Sequence, residues 1–211
     1  MRRQSAHMAD YAAVLAQLEG RGLVYRCFRT RREVMADIPA APHGPAEAIR
    51  PGPLPEAAQA AALAAGRPFA WRLWLARCAE VLGPRWDTLG FEADGVWVKA
   101  DPARLGDAIL GRKEFPASYH LASVHDDAMQ GITHVKRGED LREAAHLHVL
   151  LQALMGWRTP IYRHHQLVLG PDGKRLAKRD KAEALASLRA RGVSAAALRA
   201  ELGFPPAPGA G

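Results

Sequence analysis

The second half of the sequence predicts an α/β fold with parallel strands. Short apolar segments alternate there with amphipathic ones, and turns that contain Gly separate them. A Gly-rich turn that is crowded with lysine and arginine follows the last apolar segment. Alternating strands and helices usually build a sheet whose ligands bind beyond the carboxyl ends of its strands. We therefore expect an α/β domain with a ligand site at one edge of its sheet.

Composition narrows the class of protein. The 211 residues are nearly half hydrophobic, which is enough for one or two domains. The formal charge of +7 favours a polyanionic partner such as nucleic acid, although an ordinary basic protein would carry it too. Two distant cysteines, Cys27 and Cys78, argue against a disulfide framework and for a cytoplasmic location. The longest segment without Asp, Glu, Lys or Arg, 144–157, is too short to cross a bilayer, and the N-terminus lacks the apolar region of a signal peptide.

The first half is predicted to hold short elements on both sides of a Pro-rich stretch. An amphipathic helix is predicted over 6–19, with an apolar face of Tyr11, Val14, Leu15 and Leu18. Six prolines between Pro39 and Pro55 predict irregular chain over 30–55. The other predicted elements are strands at 23–28, 69–75, 95–99 and 106–110, a helix at 56–65, and a helical continuation to residue 82.

The second half contains the clearest helix of the chain. This helix is predicted over 141–155, because acids cluster in its first turn and leucines form a stripe along it. The leucines of the stripe are Leu147, Leu150, Leu151 and Leu154. The other predicted elements are strands at 121–124, 132–135 and 167–169 and helices at 181–190 and 194–202.

Two groups of residues carry the chemistry. The segment GPDGKRLAKRDK, 170–181, brings cations close to exposed backbone amides, which can hold phosphates, although a solvated basic loop has the same composition. Tyr119, the Asp126–Asp127 pair and Arg137 are expected near strand ends. Arg137 could bind a carboxylate through two hydrogen bonds, whereas the alternatives are a helix or turn cap for the acids and a structural salt bridge for Arg137.

Three segments in order resemble one family. They are FPASYHLASVHDDAMQGITHVKRGEDL, LHVLLQALMGW and IYRHHQLVLGPDGKRLAKR, and they are similar to the glutamyl-tRNA synthetase-like class I family. Within it they look most like the short glutamyl-Q tRNA(Asp) synthetases. The resemblance implies the second half of a class I aminoacyl-tRNA synthetase-type Rossmann catalytic domain with an inserted α+β subdomain. The implied domains are a remnant of the first Rossmann half at 1–23, the insertion at 24–105, the second half at 106–180, and a short helical tail with a disordered end at 181–211.

The resemblance also implies a reaction and its residues. Enzymes of this family activate glutamate with ATP and Mg²⁺ and transfer it to tRNA. In the short paralogues the acceptor is the queuosine base of tRNA(Asp). The glutamate-binding residues of the family correspond to Tyr119 and Arg137. Its ATP-binding residues correspond to Arg175, Lys178 and His164, with Lys178 as the catalytic cation of the KMSKS-like loop. We expect a monomer that binds tRNA, L-glutamate and ATP.

Two departures from the family pattern affect what is expected of this chain. The HIGH-type motif that grips the phosphates of ATP is absent, and in the family it would precede Gln4. We therefore expect an N-terminally truncated chain that shows no ATP–pyrophosphate exchange by itself. The zinc-binding Cys-x-Cys pair of the family is here Cys27-Phe28-Arg29, so Cys27 is a remnant and no zinc is expected.

Two other functions stay open. One is a fragment of an ordinary glutamyl-tRNA synthetase, which is disfavoured because the chain ends soon after Lys178 and leaves no room for a helical anticodon-binding domain. The other is a non-catalytic RNA-binding remnant, which the basic charge and the missing HIGH-type motif both permit.

Overall fold

A computed structural model describes residues 3–30, 33, 50–112, 115, 117–170, 176 and 184–204. Its helices are α1 (Met8–Gly20), α2 (Glu56–Ala64), α3 (Leu75–Leu82), α4 (Tyr119–Met129), α5 (Ala144–Met155), α6 (Leu185–Ala190) and α7 (Ala195–Glu201). Its strands are β1 (Val24–Cys27), β2 (Ala70–Leu73), β3 (Gly90–Ala93), β4 (Val96–Lys99), β5 (Ile109–Arg112), β6 (His134–Gly138) and β7 (Ile161–His165). The predicted α/β class is confirmed.

Helix α1 buries the apolar face that its sequence predicts. Tyr11, Val14, Leu15 and Leu18 are its buried residues. After the helix, Gly22 adopts a φ of 65°, and the amide of Leu23 donates to the carbonyl of Leu18 at 2.9 Å. A left-handed glycine with this hydrogen bond is a common way to end a helix and turn the chain. The turn leads directly into β1.

A three-stranded antiparallel sheet has the order β1-β2-β5. The register of β2 with β5 shifts between Trp71 and Arg72, which is the irregularity of a bulge. Behind this sheet Asp107 is 2% exposed. Its carboxylate accepts from the hydroxyl of Tyr25 at 2.8 Å and from the amide of Leu75 at 3.1 Å. Burial, followed by the charge of Asp107, raises the pKa of Tyr25 well above its usual value. Asp107 therefore joins β1 to the start of α3.

A four-stranded mixed sheet has the order β4-β3-β7-β6. Strands β3 and β4 form an antiparallel hairpin whose turn, Asp94-Gly95, has φ values of 53° and 84°. Positive φ at both turn positions matches the right-handed twist of a tight hairpin, and an Asp-Gly pair tolerates it. Strands β3 and β7 are parallel, with Ala93 opposite Tyr162. Parallel pairing is thus present, whereas β1 with β2, β2 with β5, and β3 with β4 pair antiparallel.

Helix α5 lies in the core. Ten of its 12 residues are buried, so the leucine stripe is only part of its covered surface. The helix ends at Gly156, which has a φ of 70°. Its buried polar residues are His146, His148 and Gln152. A helix that is covered on nearly all sides places such side chains where each one needs a partner.

The predicted strand at 121–124 is wrong, because these residues belong to α4. Ser118 caps this helix by accepting a hydrogen bond from the amide of Leu121 at 3.4 Å. The buried residues Leu121, Val124 and His125 recur at intervals of three and four, which is the spacing of a helix. A run of four apolar residues is too short to distinguish the helical period from the strand period.

Other predicted elements are present with shifted ends, and some predicted ranges lie outside the described residues. The predicted strands at 106–110 and 132–135 overlap β5 and β6, and the two C-terminal helices overlap α6 and α7. Of the predicted strand 167–169, Leu169 forms an isolated bridge. Strands β3 and β7 were not predicted. Most of the irregular stretch 30–55 and the tail 205–211 fall outside the described residues.

Contacts divide the chain into two compact units. One consists of 1–137 with 141–164, and the other of 138–140 with 165–211. The domain boundaries that the resemblance implies remain a prediction. Among the residues that the structure describes, none of the helices has the length and apolar character needed to cross a membrane.

Candidate active site

Tyr119 is the first residue of α4, and its side chain is accessible. The residue is 49% exposed, although it was predicted near a strand end. Its ring centroid lies 5.9 Å from that of His148 on α5. Because Tyr119 begins a helix, the prediction that it lies near a strand end is wrong.

Arg137 lies in β6 and is 8% exposed. Its Nε donates to Nε2 of His164 at 3.4 Å, and its Nη1 donates to Nδ1 of His148 at 3.1 Å. The guanidinium carbon stands 4.8 Å from the centroid of the Tyr162 ring. Its Nη2 is buried and has no hydrogen-bond partner among the described residues. Neutral rings thus surround the cation.

His164 is held by the turn of the neighbouring hairpin. Asp94 accepts from the backbone amide of His164 at 2.8 Å, and its other oxygen lies 3.4 Å from Nδ1 of the imidazole. Because Nε2 accepts from Arg137, the proton of a neutral His164 belongs on Nδ1, where it faces Asp94. Burial, assisted by Arg142 and Arg137, lowers the pKa of His164, although Asp94 opposes this shift. The Asp-Gly turn therefore positions an imidazole that was predicted from the resemblance.

The structure adds His120, His148 and Tyr162 to the predicted site residues. Nε2 of His148 lies 3.2 Å from Nδ1 of His120, and the two rings meet edge to face. The hydroxyl of Tyr162 accepts from Nε2 of Gln152 at 3.2 Å, and burial raises the pKa of Tyr162 to about 12. One sequence signal could have identified His148, because it is a polar residue inside the apolar helix α5.

The two acids of α4 have different surroundings. Both Asp126 oxygens accept from the hydroxyl of Tyr11, at 2.9 and 2.8 Å, and Asp126 is 7% exposed. Asp126 therefore joins α1 to α4. Asp127 is half-buried, and burial raises the pKa of its carboxyl while the charge of Arg137 lowers it. Both lie in the last turns of a helix and not at strand ends, which corrects the prediction, and neither is its N-cap.

Some predicted site residues cannot be placed. Arg175 and Lys178 lie outside the described residues, so their contact with ATP stays a prediction. Cys27 is described, and it is 4% exposed in β1, opposite Ala70. The described part of the chain contains no group of three His, Cys, Asp or Glu residues that could hold a metal ion. The absence of zinc stays a prediction.

The fold and this cluster define an α/β domain in which neutral rings surround a buried guanidinium. A family model described as tRNA synthetases class I (E and Q), catalytic domain, matches residues 93–203. The chain belongs to this family of class I tRNA synthetase catalytic domains, which confirms the resemblance.

Particular relatives are similar over nearly the whole chain. The chain is 41% identical to a glutamyl-Q tRNA(Asp) synthetase of Rhodobacter capsulatus, with 96% of this chain and 74% of the relative covered. It is 40% identical to the protein of the same name from Leptothrix cholodnii, with 92% of this chain and 64% of that relative covered. Glutamate–tRNA ligase 1 of Cereibacter sphaeroides is 32% identical, with 93% and 40% covered.

A solved structure has a similar fold. The glutamate-tRNA synthetase of Elizabethkingia anophelis superposes with a TM-score of 0.62 at 27% identity, over 84% of this chain and 37% of that one. The chain therefore spans only part of the length of these relatives.

Proposed function

We propose that the protein acts in the ATP-dependent activation of glutamate and its transfer to the queuosine base of tRNA(Asp). The observation that carries this proposal is the buried guanidinium of Arg137, whose Nη2 has no hydrogen-bond partner among the described residues. An unpaired buried cationic donor is costly unless a ligand satisfies it. A carboxylate fits this position, because two terminal nitrogens of a guanidinium match its two oxygens.

The chemistry assigns the two carboxylates of glutamate to different roles. During activation, the α-carboxylate attacks the α-phosphorus of ATP, an acyl–phosphate bond forms, and pyrophosphate leaves. The γ-carboxylate does not react, so Arg137 binds this group through Nη2 and the remaining hydrogen of Nη1. Tyr119 contributes its hydroxyl as a further donor and packs its ring against the methylene groups of the substrate.

We assign ATP binding to His164 and, in the basic segment 170–181, to Arg175 and Lys178. In this proposal His164 lies beside the adenosine, whereas Arg175 and Lys178 bind the phosphates. Lys178 stabilises the charge that grows at the α-phosphate during attack. Mg²⁺ would accompany the nucleotide and would offset part of the charge of its phosphates. The match of residues 93–203 to the class I catalytic domain supports this assignment.

The names of the relatives favour queuosine over the ordinary tRNA reaction. The two glutamyl-Q tRNA(Asp) synthetases are 41% and 40% identical to the chain, whereas the glutamate–tRNA ligase is 32% identical. The second candidate, an ordinary glutamyl-tRNA synthetase, differs in its tRNA. A non-catalytic RNA-binding protein would bind tRNA without transferring glutamate.

One assay separates these three functions. Radiolabelled glutamate and ATP are incubated with tRNA from cells that make queuosine and from cells that cannot. The protein is tested alone and preceded by the N-terminal segment of the R. capsulatus relative. We expect the extended protein to label tRNA(Asp) only when queuosine is present. Labelling of tRNA(Glu) from both sources would establish the ordinary synthetase, and tRNA binding without any labelling would establish the RNA-binding protein.

The role of Arg137 is tested in the same extended protein. We expect Arg137→Lys to weaken the use of glutamate by about 1–3 kcal/mol, because lysine cannot form the two-pronged hydrogen bond. Tyr119→Phe should lose less, since the aromatic ring stays. The measurement is steady-state kinetics with varied glutamate. An unchanged dependence on glutamate in Arg137→Lys would remove Arg137 from the site.

A further inference from the structure

His148 is a buried histidine whose hydrogen bonds connect two residues of the site. It is 2% exposed, and it stands on α5 between Arg137 of β6 and His120 of α4. The ring of Tyr119 also lies against it, with the centroids 5.9 Å apart. Three elements that carry site residues therefore meet at this one imidazole.

The hydrogen bonds determine its tautomer. A guanidinium can only donate, so Nδ1 of His148 must accept from Nη1 of Arg137 across 3.1 Å. The ring is consequently neutral, with its proton on Nε2, and this proton faces Nδ1 of His120 at 3.2 Å. Burial, and then the charges of Arg137 and His120, lower the pKa of His148, which agrees with a neutral ring.

The effect of His148 on Arg137 follows from this geometry. His164 accepts from Nε and His148 accepts from Nη1, so two fixed acceptors on different nitrogens prevent rotation of the guanidinium plane. Neither imidazole neutralises the positive charge, because each one is an uncharged acceptor. Nη2 and the second hydrogen of Nη1 are thus left for the ligand.

We propose that His148 is a positioning residue that orients Arg137, and that it thereby sets the preference of the site for a carboxylate over a carboxamide. A carboxylate offers two acceptor oxygens to the free donors of Arg137. A carboxamide would place its NH₂ group against one of these donors, and a fixed guanidinium cannot rotate away from it. This inference rests on the proposed function, since it names a residue that tunes the same glutamate site.

Another histidine of the same helix provides a matched control. His146 is 6% exposed and accepts from the backbone amide of Asp101 at 2.9 Å. Its ring packs edge-on against Phe91, with the centroids 5.3 Å apart. Replacing His146 therefore removes a buried imidazole and one hydrogen bond of α5 without touching the guanidinium of Arg137.

The test compares His148→Leu, His148→Asn and His146→Leu with the unchanged 211-residue chain. Asparagine can present an acceptor oxygen near the position of Nδ1, and leucine cannot. Binding of L-glutamate and L-glutamine is measured by NMR titration, which detects weak affinities. We expect His148→Leu to lose about tenfold in glutamate affinity and most of its preference over glutamine, as for one lost charged hydrogen bond. His148→Asn should retain most of both, and His146→Leu should keep the preference.

A second measurement needs no ligand. The Nε–H group of Arg137 is followed by ¹⁵N relaxation, and the tautomer of His148 is read from its ring nitrogen shifts. We expect an ordered guanidinium in the unchanged chain and in His148→Asn, and a mobile one in His148→Leu. A protonated Nδ1 on His148, or an equally ordered Arg137 in His148→Leu, would overturn the inference. Absence of glutamate binding by the unchanged chain would instead count against the proposed function, and the relaxation data would still decide the role of His148.

Discussion

The buried pair of Tyr11 and Asp126 should contribute measurably to the stability of the fold. The hydroxyl of Tyr11 donates to the carboxylate of Asp126 at 2.8 and 2.9 Å, and Tyr11 is 0% exposed. Because Tyr11 lies on α1 and Asp126 on α4, this contact holds the helix that begins with Tyr119. The change Tyr11→Phe removes the hydroxyl and keeps the ring, whose edge-on packing against His125 has a centroid distance of 5.3 Å.

The magnitude follows from counting donors. One hydroxyl has one hydrogen, so the two short distances represent a single shared hydrogen bond to a carboxylate. Such a bond is worth about 1.5–3 kcal/mol when the acceptor is charged. After the change, Nδ1 of His125 still lies 3.3 Å from the Asp126 carboxylate, so this carboxylate loses only part of its hydrogen bonding. We therefore expect Tyr11→Phe to lower the free energy of unfolding by about 1–2 kcal/mol, and the melting temperature by about 2–8 °C for a chain of this size.

Urea unfolding followed by tryptophan fluorescence measures this change. Tyr25→Phe is the matched variant, because Tyr25 makes the equivalent buried bond to Asp107 at 2.8 Å and should show a similar loss. Tyr119→Phe is the control, since Tyr119 is 49% exposed and its change should stay within about 0.5 kcal/mol. The reasoning fails if Tyr11→Phe has the stability of the unchanged chain while Tyr25→Phe is destabilised.

Three further predictions concern the loop, the metal and pH. In the extended protein, Lys178→Ala should raise the barrier to adenylate formation by about 3 kcal/mol and weaken glutamate binding far less. Equal and small losses of activity in Lys178→Ala and Arg175→Ala would show that the loop is only a basic surface. Elemental analysis of protein purified without chelator should find no zinc, and about one zinc per chain would show that Cys27 has partners after all. Burial lowers the pKa of His148, so below pH 6.5 the unfolded chain binds a proton that the folded chain does not. The contribution of His148 to stability should therefore be complete above pH 6.5 and decrease below it. Urea unfolding at pH 7.5 and 5.5 should show a smaller loss of stability between the two pH values in His148→Asn.

The elements that the sequence predicted correctly are those with several apolar turns. Helix α1 shows four buried residues on one face, and α5 carries a stripe of four leucines, so the helical period repeats often enough to be read. Helix α4 was misread, because the apolar run chosen, 121–124, is shorter than two helical turns. Ser118 is a residue type typical of helix N-caps, and it is the feature of the sequence that indicates this helix.

The candidate site was predicted only in part, for a different physical reason. The resemblance placed Tyr119, Arg137 and His164 in one site by their position within ordered motifs. The structure brings Arg137 and His164 into direct contact and links Tyr119 to them through His148. A sequence pattern does not show which helix residue contacts which strand residue. The contact of His148 with Arg137 could therefore be identified only from the structure.

The hydrogen bonds around Arg137 suit the proposed binding of an anion. A carboxylate partner inside the protein would have satisfied the guanidinium and competed with the substrate. The acceptors at Nε and Nη1 are instead imidazoles, which fix the direction of the donors and leave the positive charge in place. Asp127 interacts electrostatically with Arg137, but burial raises the pKa of its carboxyl. The raised pKa makes Asp127 a weaker competitor of an anionic ligand for Arg137. Nη2 of Arg137 has no hydrogen-bond partner among the described residues, so an anion bound as proposed would gain hydrogen bonds to it.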